Sequence, residues 1–248
     1  MTVKEIYEYL DSLFPVSAAC DFDNPGLLVG DPQTKVQNTL IALDCALKTV
    51  ETAIANKCNL IITHHPVIYE PLKRLEAGSV PYELVRHGIA VISMHTNLDM
   101  LDGGVNTCLC EALGLKSVQA VPSQDGYLLR SGTVSPALAD DFAKAIKQAL
   151  GGCVKYVDGG KPIQKVLICS GSGGDFVNEA IGGGFDALVT ADVKHHQFLQ
   201  AFDRNISLFD AGHFNTEDVV IEPLKTILYK QFPDIKFITD HSSGIKYC

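Results

Sequence analysis

Val36-Gln-Asn-Thr-Leu-Ile-Ala-Leu43 is a short apolar, β-branched run of the kind that forms a strand, and Ile163-Gln-Lys-Val-Leu-Ile-Cys-Ser170 resembles it at a shift of 127 residues. The same shift sets Leu60, Ile62 and Thr63 against Ala187, Val189 and Thr190. Two strands in register across a helix of equal length point to two similar βαβ units. A further strand in each half ends alike, in Met94-His-Thr-Asn97 and in Gly212-His-Phe-Asn215. The plainer alternative is the hydrophobic patterning that any two βαβ units share; the constant shift favours duplication.

Outward from these runs, strands are expected at 38–44, 59–64, 89–94, 164–169, 186–190 and 206–210. Helices are expected at 46–56, 81–87, 104–113, 137–150, 175–182, 194–202 and 217–231. That alternation gives an α/β fold of two similar lobes, each a mainly parallel sheet flanked by helices. Segment 121–134 reads as a turn into an extra strand and is the best candidate for the link. The first lobe is therefore set at 1–125 and the second at 126–248, with the C-terminal helix free to pack back on the first.

The 248 residues are 46% apolar and 20% charged, with 21 Gly and 11 Pro, which excludes a disordered, fibrous or low-complexity chain. Twenty Lys and Arg against 29 Asp and Glu leave a net charge of −9, which opposes non-specific binding to nucleic acid or anionic lipid. The N-terminal MTVKEIYEYLDSLF is amphipathic and does not read as a signal peptide, and no apolar run approaches the roughly 18 residues of a membrane span. Eight cysteines without a CxxC pair are expected to be reduced, so the chain is read as cytoplasmic. Cys45, Cys58, Cys108, Cys110 and Cys169 sit among apolar neighbours as small hydrophobes. No G-x-S-x-G elbow or cysteine nucleophile context supports covalent catalysis.

Ligands of parallel α/β sheets collect outside the carboxyl ends of strands. Those ends carry Thr63-His64-His65-Pro66, His95-Thr-Asn-Leu-Asp99, Asp192-Val-Lys-His-His196 and Gly212-His-Phe-Asn-Thr-Glu217. Pro66 ends its strand, and a turn there lets His64 and His65 reach neighbouring positions. His213 and Glu217, four residues apart, share one face of a helix. His64, His65, Asp99, His213 and Glu217 make an all-N/O donor set suited to Zn, Mn or Fe(II). His95 is read as a proton-shuttling neighbour. Asp192, Lys194, His195 and His196 could line a pocket or simply open a helix. Gly171-Ser-Gly-Gly174 could cradle a phosphate or be a plain tight turn. Pro71-Leu-Lys-Arg74 reads as a solvated basic loop rather than an anion contact.

In order, Ile62-Thr-His-His-Pro66, Met94-His-Thr-Asn-Leu-Asp99 and Gly212-His-Phe-Asn-Thr-Glu217 resemble the GTP cyclohydrolase I type 2 homologue family, the NGG-one-interacting-factor-three-like dinuclear metal centre proteins. Asp23-Asn-Pro-Gly-Leu27 with Val29-Gly-Asp31 is similar to the family's N-terminal signature, and Thr190-Ala-Asp-Val-Lys-His195 to another of its segments. Phe22 stands where that family usually has Trp, and Ala191 where it has Gly. The resemblance implies a dinuclear site between two α/β lobes, two divalent ions per chain (Zn, Fe or Mn) and a ring-like homohexamer. By motif position it makes His64, His65, Asp99, His213 and Glu217 the ligands, with Glu217 the bridge, in a short form without an inserted domain.

The leading expectation is a metal-dependent hydrolase acting on a small molecule, a nucleotide or related heterocycle, with His95 and Glu217 as catalytic residues. The alternative is a regulatory or scaffold protein acting through an oligomeric ring. A nucleic-acid-binding role runs against the net charge of −9.

Overall fold

Along the strand β8 (Ile163–Ser172), Val166 and Ile168 enter one apolar cluster while Leu167 and Cys169 enter another. β9 (Ala187–Ala191) and β10 (Ser207–Asp210) repeat the alternation: Ala187, Val189 and Phe209 lie on the first side, Leu188 and Leu208 on the second. A strand covered on both faces must be apolar at successive positions, which is why these runs are continuous in sequence. The computed structural model describes residues 1–246 and divides into two units, Met1–Leu98 with Ile221–Ser242, and Asp99–Val220 with the residues from Ser243 onward.

The first unit is built on β1 (Gly26–Val29), β2 (Asn38–Ala42), β3 (Cys58–Thr63), β4 (Ala90–Ser93) and β11 (Lys236–Asp240), in the order β1-β4-β3-β2-β11. All its pairings are parallel except β1 with β4. The helices α2 (Leu47–Ala55) and α3 (Val80–His87) supply the parallel crossovers, and Leu40, Val50, Ile61, Leu84 and Val91 fill the core between them and the sheet. Helix α1 (Val3–Leu13) opens on a capping box in which the Glu5 N–H donates to Thr2 Oγ1 and the Thr2 N–H donates to Glu5 Oε2. Its Val3, Ile6 and Leu10 form the buried stripe. Gly88 ends α3 in the left-handed conformation at φ 63°, and the chain turns directly into β4.

The second unit has a six-stranded sheet in the order β5-β6-β8-β9-β10-β7, with β5 (Lys116–Pro122), β6 (Leu128–Ala137) and β7 (Lys155–Val157). β8, β9 and β10 are parallel, and the flanking pairings are antiparallel. α6 (Ala139–Leu150), α7 (Val177–Gly182) and α8 (His195–Asp203) complete the cover, with α5 (Val105–Ala112) lying against β6 and β8. Each unit thus carries the β-α-β-α-β run expected from the repeated pattern. Each run ends in a single-turn helix, α4 (Thr96–Met100) after β4 and α9 (His213–Glu217) after β10.

A boundary near 125 is expected from the turn at 121–134, whereas the division falls at Leu98 and Asp99. The reason is that α5 contributes Leu109 and Cys110 to the core beside Phe142, Val166 and Ile168, so the chain joins the second sheet before the turn. The last helix, α10 (Ile221–Gln231), returns to the first unit because β11 behind it pairs parallel with β2. No helix among the described residues is long and apolar enough to cross a membrane.

Candidate metal centre

β3 delivers two adjacent histidines because the chain leaves the strand between them. The His65 N–H still donates to the Leu43 carbonyl at 3.0 Å, while the Thr63 hydroxyl donates to the His65 carbonyl at 2.9 Å and bends it back. The two rings stay on one side, with centroids 4.9 Å apart. His95, just after β4, brings its ring within 5.1 Å of His64 and 5.5 Å of His65. The three form a group that could hold a metal ion, each offering a nitrogen within 4.8 Å of the others.

Each ring is oriented through Nδ1. His64 Nδ1–H donates to the Met94 carbonyl at 2.8 Å, His65 Nδ1–H to Asp44 Oδ1 at 2.7 Å, and His95 Nδ1–H to Asp23 Oδ1 at 2.7 Å. Because the partners are acceptors, the proton sits on Nδ1 and the lone pair on Nε2, the tautomer that ligates a cation or accepts a proton. Burial works against the Asp23 charge. The hydrogen bonds from His95 and Thr96 overcome it and hold the carboxyl down at about 2. Helix α4 starts squarely because Asn97, fully buried, accepts from the His95 N–H and donates to the Phe14 carbonyl.

In the second unit the same construction recurs after β10. His213 Nδ1–H donates to Asp192 Oδ2 at 2.6 Å, and its Nε2 lies 3.1 Å from Glu217 Oε2, one helical turn on. Burial alone would discharge this imidazole, but Glu217 and then Asp192 raise its pKa to about 9. Glu217 is buried, and its carboxylate lies against the backbone of Gly171, where a Cβ would collide with Oε1. Gly171 also sits at φ 58°, a left-handed conformation that glycine adopts without strain. Asp99, buried on α4, offers a carboxylate oxygen within 4.8 Å of one from Glu217.

Several residues of this unit escape a reading by strand ends. Asn106 donates to the Asp99 carbonyl and accepts from the Ser170 N–H, and the Ser170 hydroxyl faces Asp99 Oδ1 at 3.4 Å. Tyr127 stacks on Phe176 with centroids 5.6 Å apart. Burial first, and then the Asp99 charge, push that phenol well above its usual range. In the first unit Asp44 lies two residues beyond β2, so the strand-end rule reaches it; no local signal marks Tyr127.

The remaining sequence candidates resolve plainly. Asp192 anchors His213. Two N–H groups of the Gly171–Gly174 turn are committed within the protein, Gly171 to Thr216 Oγ1 and Gly173 to the Gly171 carbonyl. Arg74 pairs with Glu76 in an exposed loop. Burial pushes the thiols of Cys58 and Cys108 up to about 11 and those of Cys45 and Cys110 up to about 12, which keeps them out of thiolate chemistry.

Residues 1–243 match the family model described as Duf34/NIF3 (NGG1p interacting factor 3). The chain belongs to this family. It is 34% identical over 225 residues to a "GTP cyclohydrolase 1 type 2 homolog" of Campylobacter jejuni, with 88% of each chain covered. It is 31% identical over 232 residues to a protein of that name in Clostridium acetobutylicum, covering 88% of this chain and 85% of the relative. Among solved structures, a hypothetical protein of Staphylococcus aureus superimposes with a TM-score of 0.94 at 29% identity, covering 100% of this chain and 99% of that one.

Proposed function

We propose that this Duf34/NIF3 protein is a metal-dependent hydrolase in which His64, His65, Asp99, His213 and Glu217 hold two divalent ions, Zn, Fe or Mn. The supporting observation is the orientation of the histidines: His64, His65 and His213 are each tied through Nδ1 to a carbonyl or carboxylate, which turns Nε2 away from that anchor. An all-N/O donor set containing two buried carboxylates fits hard or borderline cations.

Divalent ions held there would supply Lewis acidity toward water and toward the bond under attack. Asp99 and Glu217 offset positive charge in a buried setting where it would otherwise be costly. His95, with its Nδ1–H committed to Asp23, takes up a proton at Nε2 and returns it to the leaving group. The names of the curated relatives favour a nucleotide or related heterocycle as substrate. The same reading takes the protein as cytoplasmic and as a homo-oligomer, a hexamer by family resemblance.

The test is a screen of protein loaded with Zn, Mn or Fe(II) against GTP, other nucleotides, phosphoesters and cyclic amides. Turnover by the wild type that is lost in Glu217→Ala supports the proposal. Metal-loaded protein inert toward all of them would leave a regulatory or scaffold role in its place.

A further inference from the structure

β9 and β10 run in register up to Thr190 and Asp210, and the Ala211 N–H still donates to the Thr190 carbonyl at 2.8 Å. Beyond that point the chains part into two turns, one carrying Asp192 and the other His213. The Asp210 carboxylate spans the parting: Oδ2 accepts from the Val193 N–H at 3.3 Å and Oδ1 from the Gly212 N–H at 3.2 Å. Asp210 is buried, and Lys155, its partner in the antiparallel pairing of β7 with β10, brings Nζ within 2.8 Å of Oδ2 and offsets the charge.

We infer that Asp210 is a positioning residue: with one carboxylate it ties the two turns together, fixes His213 against Asp192, and so sets the direction in which the His213 imidazole faces a divalent cation. The inference rests on His213 being a ligand. Both turns need such a hold. Asp192 sits at φ 53° and Gly212 at φ 86°, and a non-glycine residue in the left-handed region persists only where its surroundings determine it. The N–H groups that Asp210 takes are the one directly after Asp192 and the one directly before His213. Each bond therefore acts on the backbone next to one partner of the 2.6 Å hydrogen bond between these two side chains. An asparagine would keep the size of the side chain but set an NH₂ donor against one of the two N–H groups, so it could hold one turn and not both.

Two measurements on the full chain stripped of metal test this. The first is amide hydrogen exchange read residue by residue by mass spectrometry, whose wild-type arm needs no variant. Val193 and Gly212 are expected to be protected in wild type and to exchange roughly tenfold faster or more in Asp210→Asn, with Val189 in the middle of β9 unchanged. The second is the dissociation constant for Zn²⁺ by competition with a chromophoric chelator, for wild type, Asp210→Asn, Asp192→Ala, the double variant Asp210→Asn/Asp192→Ala and His213→Gln, with the melting temperature of each ion-free protein. Expected is a loss of roughly tenfold in Asp210→Asn. The double variant should lose less than the two single losses combined, because both act through His213. Unprotected Val193 and Gly212 in wild type overturn the inference whatever the variants do. Wild-type affinity in Asp210→Asn beside a weakened Asp192→Ala, with or without a lowered melting temperature, leaves Asp210 a merely structural part and the ligand reading standing. Fully additive losses in the double variant overturn the inference as well. Wild-type affinity in His213→Gln overturns the ligand reading and this inference together.

Discussion

His95 donates its Nδ1–H to Asp23 Oδ1 over 2.7 Å, and the Asp23 side chain that receives it has no solvent exposure. Thr96 adds a backbone and a hydroxyl donor to the other oxygen, so the carboxylate is bound on both sides in its charged form. Folded Asp23 ionises at about 2 against an ordinary 3.8. A lowered carboxyl pKa stabilises the fold above the ordinary value, and that contribution disappears as pH falls through the folded one. Wild type is therefore expected to lose on the order of 1–2 kcal/mol between pH 4 and pH 2 that Asp23→Asn has already lost at neutral pH. Urea titrations across that window check it; parallel pH profiles for the two proteins would contradict it.

Gly171 gives the Glu217 carboxylate its place. Gly171→Ala puts a methyl group where Oε1 lies and forces a non-glycine residue into φ 58°. It is expected to cost about 1–3 kcal/mol of stability and most of the bound metal. Gly182→Ala, at the end of α7 with open space around it, is expected to be neutral or slightly stabilising. Thermal melts and metal analysis of the two variants separate the effects.

Arg130 reaches the carbonyls of Leu129 and Met100 and the carboxylate of Asp102 from a buried position. A lysine cannot reproduce that fork, and Arg130→Lys is expected to cost about 1–3 kcal/mol by leaving a carbonyl unmet. Asp102 is almost fully exposed, so Asp102→Ala is expected to leave stability unchanged. Equal losses in the two variants, read by chemical denaturation, would mean that the ion pair rather than the carbonyls holds the loop.

Asp44 and Asp192 each receive the Nδ1–H of a histidine in the proposed ligand set. Asp44→Ala and Asp192→Ala are each expected to weaken metal binding roughly 10- to 100-fold, with little change in the melting temperature of the ion-free protein. Chelator competition gives the affinities directly, and wild-type values in both variants would show that these carboxylates do not orient the rings toward an ion.

The parts of the fold legible in sequence are those buried on both faces. β2, β3, β4, β8, β9 and β10 all overlap expected runs because helices cover their sheets and their central positions are mostly buried and apolar. β5, β7 and β11 carry few buried side chains and leave no such run, so hydrophobic periodicity passes over them. The histidines after β3, β4 and β10 were readable because strand ends collect ligands. Asn106 was not, since a hydrogen bond to Asp99 from 7 residues away has no local pattern. Asp44, two residues beyond the end of β2, lies within reach of the same strand-end rule.

The central claim, a metal centre built on the strand-end histidines and carboxylates, is tested most directly by metal content per chain. Plasma mass spectrometry of wild type and Glu217→Ala, purified without chelators or a histidine tag, gives the number. About two ions per wild-type chain, falling sharply in Glu217→Ala, is the result expected for two-metal chemistry. Near-zero metal in both proteins, even after incubation with Zn, Mn and Fe(II), would contradict it and make these histidines structural.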